Sequence, residues 1–145
     1  MSAALGGVLL DTCALIWLVN GDLDESPARE AIIAAAEAGN VLVSTVSAWE
    51  VGLLSRPNAR GATRVQFLPD PKTWFRTALS RPGIKLAQLT PGIAIDSSYL
   101  PGELHADPAD RLIIATARQF GVPVITRDRR MIEYASCGFL EAVRC

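Results

Sequence analysis

At 145 residues the chain is long enough to bury a core without disulfide or metal staples. Half of its residues are hydrophobic and 20% are charged, which excludes a disordered tail. The net charge of −1 conceals segregation: residues 1–50 carry seven acids and one base, residues 51–90 seven bases and one acid, residues 91–110 four acids and no base, and residues 111–145 six bases and three acids.

The apolar run Val8–Leu10 is short and reads as a buried strand. Asp11 and Thr12 follow it, and Ala14, Leu15, Trp17 and Leu18 then take helical spacing until Asn20-Gly21-Asp22. Ser26-Pro27 predicts a capped helix through Ala38. Val41–Val43 predicts a second strand, and the next helix, carrying Trp49 and Leu53, is expected to be capped within Ser44–Ser47. Residues 56–70 are basic and rich in turn formers. Pro71 opens a helix with Trp74, Phe75 and Leu79 on its apolar face. A strand is expected over Ile84–Leu89, a helix from Thr90-Pro91 through Tyr99, and a long helix over Ala109–Phe120 capped by Asp107-Pro108. Val122–Ile125 predicts a further strand, Asp128 opens a last helix over Arg129–Ala135, and Phe139–Val143 fits a closing edge strand. Strands alternating with helices indicate an α/β fold around a mainly parallel sheet of four to five strands. Neither a repeat nor a linker interrupts residues 1–145, which read as a single domain.

The run Val8–Leu10 and the run Cys13–Val19 are each too short to span a bilayer, and no basic leader or cleavage site accompanies them. A cytosolic location is expected. Cys13, Cys137 and Cys145 have neither zinc-knuckle nor disulfide-framework spacing, and His105 is the single histidine. Chemistry therefore rests on carboxylates, hydroxyls or arginines. Cys13, among apolar neighbours, reads as a small core residue rather than a nucleophile.

In open α/β sheets, ligands gather beyond the carboxyl ends of the strands. Asp11 falls at one such end, Asp128 just after another, and Glu50 and Asp110 in the first turns of helices. Taken singly, each has an ordinary reason to be there, as a cap, a first-turn charge or an ion-pair partner. Gathered together they repel: two like charges ~4 Å apart cost about 4 kcal/mol at an effective dielectric of 20. A divalent cation removes that cost, and all-oxygen donors select Mg²⁺ or Mn²⁺. Carboxylates, such a cation and nearby arginines suit phosphodiester hydrolysis. No G-x-S-x-G, Walker A or G-x-G-x-x-G sequence offers a competing chemistry.

The segments around these acids resemble the motifs of PIN-domain ribonucleases. Leu9–Leu18 is similar to the first, Ser44–Val51 to the second, His105–Ala117 to the third and Val124–Asp128 to the fourth. The size and wording are similar to the VapC type, the toxins of type II toxin–antitoxin pairs. The resemblance implies a three-layer α/β/α fold around a parallel sheet and Mg²⁺- or Mn²⁺-dependent cleavage of RNA. It also implies homodimers and a small VapB-like antitoxin that blocks the active site. It places Asp11, Glu50, Asp110 and Asp128 on the family's acidic positions, with Thr12 and Thr126 as supporting hydroxyls. Asp107 is expected as an N-cap, with a ligand role as the second reading. His105 is open to three readings: a structural hydrogen bond, an RNA contact or a partner for a carboxylate.

On this reading Asp11 and Asp110 contact the metal most directly, and Glu50 and Asp128 complete its surroundings. Arginines of residues 56–81, with Arg111, Arg127 and Arg129, hold the RNA backbone. Trp49, Leu53, Phe67, Trp74 and Phe75 exceed what one sheet face needs. They read either as core or as a groove for an antitoxin helix or a second copy. Two other classes compete. A phosphotransferase with Asp11 as nucleophile usually wants a second acid where Cys13 stands. A non-catalytic RNA- or protein-binding module would not need all four acids.

Overall fold

The computed structural model describes residues 6–24, 27–61 and 65–145, so the expected cap at Ser26 and the basic residue Arg64 lie outside the described residues. Five strands form one sheet: β1 (Val8–Leu10), β2 (Val41–Ser44), β3 (Ile84–Ala87), β4 (Val124–Thr126) and β5 (Ala142–Arg144). They run in the order β3-β2-β1-β4-β5, and every pairing is parallel. The helices are α1 (Thr12–Asn20), α2 (Pro27–Glu37), α3 (Thr45–Ser55), α4 (Pro71–Leu79), α5 (Pro91–Asp96), α6 (Pro108–Phe120) and α7 (Arg129–Ser136).

The central strands are short runs of Val, Leu and Ile because both sheet faces are covered. Alternate side chains part to the two faces. Val8, Leu10, Val41, Val43 and Ile125 pack with α1, α2 and α4 residues such as Leu15, Ile32 and Trp74. Leu9, Leu42 and Val124 pack with α6 and α7 residues such as Ile113, Ile114 and Met131. This is the expected three-layer arrangement. The edge strands β3 and β5 are only partly buried and carry Lys85 and Arg144, charges that discourage edge-to-edge pairing.

Several boundaries differ from expectation. The strand expected over Ile84–Leu89 ends at Ala87, and the Leu89 N–H donates instead to Thr45 Oγ1 at 3.3 Å. The helix expected through Tyr99 ends at Asp96 in a turn where Ser97 Oγ donates to the Ala94 carbonyl, a local bond that competes with continued helix. The strand expected from Val122 begins at Val124. Pro123 has no N–H to pair, although its carbonyl accepts from Leu9 N at 2.9 Å. The closing strand starts only at Ala142, with Leu140 committed to the core.

Caps fall where short polar residues were expected. Ser44, Asp107 and Asp128 accept from the first-turn N–H groups of α3, α6 and α7, and Asp11 does so for α1. Gly83, between α4 and β3, has φ +83°, and a Cβ placed there would lie 2.5 Å from the Ala36 carbonyl oxygen. Only glycine lets that turn press onto α2. Among the described residues no helix is long and apolar enough to cross a membrane.

The chain leaves β1 toward β2 and β3, then returns to place β4 on the other side of β1. The strand order therefore reverses between β1 and β4, and a crevice opens at their carboxyl ends.

Candidate active site

Asp11 is the first residue after β1. Its N–H extends the β1–β4 pairing by donating to the Ile125 carbonyl at 3.1 Å. Its side chain is almost wholly buried. Oδ1 accepts from Ala14 N at 2.8 Å, and Oδ2 accepts from Thr126 Oγ1 at 2.5 Å. Burial pushes this carboxyl up to about 6. The bonds from Thr126 and Ala14 oppose the rise, and the charges of Asp110 and Glu50 add to it.

Glu50 lies on α3, where its Oε1 accepts from Thr12 Oγ1 at 2.6 Å. That donation uses the only Thr12 hydroxyl hydrogen, so in the 2.9 Å contact between Thr12 Oγ1 and Ser47 Oγ the serine is the donor. Ser47 is buried one turn before Glu50 and fixes the threonine that fixes the acid. Burial raises the Glu50 carboxyl above its ordinary value; the Thr12 bond opposes this, and Asp110 and Asp107 reinforce it.

Asp110 lies in the first turn of α6, positioned by Asp107, whose Oδ1 accepts from Asp110 N at 3.2 Å. Its Oδ2 sits 2.6 Å from His105 Nε2. His105 Nδ1 is buried with no partner among the described residues. The tautomer carrying its hydrogen on Nε2 satisfies the contact without stranding a buried N–H on Nδ1. Asp110 is raised mainly by burial, against the His105 bond and with repulsion from Asp107 and Asp128. Asp128 caps α7 through Oδ1, which accepts from Arg130 N at 2.8 Å and Met131 N at 3.2 Å. Its own N–H donates to Thr126 Oγ1 at 2.9 Å.

Asp11, Glu50, Asp107, Asp110 and Asp128 line one cavity of about 440 Å³, with Thr12, Cys13, Trp17, Ile113 and Arg127. All four acids singled out in the sequence are thus brought to one crevice, and Asp107 joins them while serving as the expected cap. Thr12 and Thr126 hold Glu50 and Asp11, as the resemblance implies. A smaller cavity, about 350 Å³, lies between Arg118, Phe139 and Glu141 and gathers a single acid.

The donor set suits a hard divalent cation: every acid contributes oxygen. Glu50, Asp110 and Asp128 each keep one carboxylate oxygen without a hydrogen bond among the described residues. Burial first, and mutual repulsion after it, raises Asp11, Glu50 and Asp110, and a cation offsets both. The acids line the cavity without having closed on one point, since no group of three His, Cys, Asp or Glu side chains among the described residues is already arranged around a common metal position.

Other expectations are revised. Cys13 is exposed at the cavity, not part of the core. Helix α1 starts over the crevice, so its second residue faces the opening while Ala14, Leu15 and Ile16 turn inward. Partial desolvation, then the charges of Asp11 and Glu50, pushes its thiol up to about 11, which leaves it protonated and a poor nucleophile at neutral pH. Arg111 and Arg81, read as RNA contacts, donate to main-chain carbonyls, Arg111 Nε to Ser97 at 2.9 Å and Arg81 Nη2 to Val19 at 3.1 Å. The apolar surplus divides: Phe67 and Trp74 are buried edge to face, whereas Trp49 and Leu53 are exposed on α3. Two residues were missed. Ser47 is signalled by its place one turn before Glu50, and Trp17 by its place one turn after Cys13 on the same helix.

The PIN domain family profile matches residues 8–136. Ribonuclease VapC22 of Mycobacterium tuberculosis is 28% identical over 127 residues, which span 86% of this chain and 88% of that protein. VapBC2 from Rickettsia felis, solved bound to a DNA fragment from their promoter, superposes with a TM-score of 0.63 at 14% identity, covering 94% of this chain and 97% of that one. DNA-bound VapBC from Salmonella typhimurium gives 0.62 at 16% identity, covering 95% and 97%. At these identities the two structures speak for the fold. The strand order, the four acidic positions in chain order and the profile match over nearly the whole length agree, and this chain belongs to the PIN-domain family.

Proposed function

We propose that the chain is a divalent-metal-dependent endoribonuclease acting as the toxin of a type II toxin–antitoxin pair. The observation that carries this reading is the gathering of Asp11, Glu50, Asp110 and Asp128, from four separate segments, around one cavity at the β1–β4 crevice. The relative named as a ribonuclease and the superposition on VapBC complexes support it.

Asp11, Glu50, Asp110 and Asp128 would hold Mg²⁺ or Mn²⁺. Such an ion, when bound, supplies Lewis-acid stabilisation of the charge that develops on a phosphodiester. The rest of the work falls to the chain. Thr126, Thr12 and His105 each hold one acid in a fixed orientation, so little reorganisation is needed as charge develops. Asp11, whose carboxyl burial pushes up to about 6, would be held ionised by such an ion.

The partner in this reading is a small VapB-like antitoxin, and the active form is a homodimer. Trp49 and Leu53, exposed one turn apart on α3, supply apolar surface for such contacts. The test is cleavage of labelled total cellular RNA by the purified chain with Mg²⁺, with EDTA, and by Asp11→Asn. Discrete products that require both the cation and Asp11 are expected. Products that persist in EDTA or with Asp11→Asn would overturn the reading.

A further inference from the structure

The cavity presents a charge problem that its acids cannot solve. RNA is a polyanion, and five carboxylates line the opening it must approach. A single divalent ion leaves that surface negative. Among the described residues lining the cavity, Arg127 is the one cation.

Arg127 is exposed, yet two contacts hold its side chain. Its guanidinium carbon lies 3.9 Å from the ring centroid of Trp17, within cation–π range. Its Nε donates to a main-chain oxygen of Cys145 at 2.9 Å. These two contacts fix the plane of the group from one face and one edge. Among the described residues no Asp or Glu side chain forms an ion pair with it, and its bond to Cys145 uses Nε, so its two terminal nitrogens keep their donors for another acceptor. Its neighbours in sequence are Thr126, which holds Asp11, and Asp128, so the guanidinium is tied to the backbone segment that shapes the acidic cluster.

We propose that Arg127, locked against Trp17, is the contact through which the cavity takes a phosphate of single-stranded RNA, and that Trp17 is the residue that positions it. This rests on the ribonuclease reading for the identity of the ligand but not on cleavage itself. A planar, always-charged fork suits a phosphate, which accepts two parallel hydrogen bonds from it. Preorganisation by Trp17 removes the rotamer freedom that an exposed arginine otherwise loses on binding.

The experiment is binding without turnover. Fluorescein-labelled single-stranded RNA of mixed sequence is titrated with the Asp11→Asn chain in Mg²⁺, by anisotropy, across a range of salt. Adding Arg127→Ala should lower the slope of log K against log salt by about 0.7, the value for one phosphate of a single strand, and weaken binding about fivefold at 0.1 M salt. Arg127→Lys should restore the slope, which also shows that the loss is not unfolding. Trp17→Ala should weaken binding with the slope unchanged, and Trp17→Phe should recover it. Arg130→Ala, an exposed arginine three residues along, should leave the slope alone. An unchanged slope in Arg127→Ala, an equal fall in Arg130→Ala, or no binding by the Asp11→Asn chain would overturn the proposal. Intact cellular RNA after incubation with the parent chain, alongside these binding results, would sink the nuclease reading and leave this contact standing.

Discussion

Asp11→Asn separates the energetic position of this acid from its chemical one. Asn keeps the shape and the oxygen that accepts from Ala14 N–H, and Thr126 Oγ1 is able to accept from the new amide. What disappears is a buried charge. The Asp11 carboxyl moves from an ordinary value of 3.8 to about 6 on folding without a cation. A raised acid costs stability: the penalty is absent below pH 3.8, where both states are protonated, grows through the interval, and is complete above about pH 6. That interval, at ~1.4 kcal/mol for each pH unit, amounts to about 3 kcal/mol. In EDTA at pH 7.5, Asp11→Asn should therefore be more stable than the parent, by about 10 °C in Tm for a chain of this size. The gain should vanish at pH 3.5, and Mg²⁺ should raise the parent's Tm more than the variant's. Thermal unfolding by circular dichroism at both pH values decides it. A variant less stable than the parent at pH 7.5, or equally stabilised at both, would refute the account of Asp11 as a desolvated charge awaiting a counter-ion.

Thr126→Val removes the donor to Asp11 and the acceptor for Asp128 N–H, so it should cost ~1–3 kcal/mol in urea unfolding. It should also move the acid limb of the cleavage profile to higher pH, since the bond that lowers Asp11 is gone; an unmoved limb counts against that role. Cys13→Ala should cleave RNA within about twofold of the parent, because a thiol pushed up to about 11 does not attack at neutral pH; loss of cleavage would restore it as a nucleophile. Gly83→Ala should destabilise by ~2–4 kcal/mol, from a strained φ and a forced separation from Ala36, and an unchanged urea midpoint would contradict the close approach.

The sheet was legible because Val8–Leu10, Val41–Val43 and Val124–Ile125 are apolar throughout, which marks strands covered on both faces. The acids were legible because a strand end or a helix cap assigns them a place. What sequence could not convey was the direction a residue faces at a junction. Cys13 sits among core residues in the chain yet opens to the cavity, because helix α1 begins above the crevice. Arg111 has the charge of an RNA contact, but the Ser97 carbonyl that engages it comes from a turn whose position only the packed fold sets. His105 illustrates the converse. Five residues before Asp110, it had three readings in the sequence, and the 2.6 Å contact with Oδ2 selects one of them.

The bond from Thr126 to Asp11 joins residues 115 apart in the chain. Its consequence concerns timing. Asp11 emerges during synthesis long before the hydroxyl that orients it, and before the acid after that hydroxyl, which come only with β4. A growing chain can lay β1, β2 and β3 together while the place beside β1 stays empty. Non-local strand pairing of this kind forms late, after its loop-closure entropy has been met. The acidic centre therefore has no existence on a partial chain: a ribosome making this protein is not exposed to the finished cavity of its own product until residues 124–128 have left the exit tunnel and found their strand.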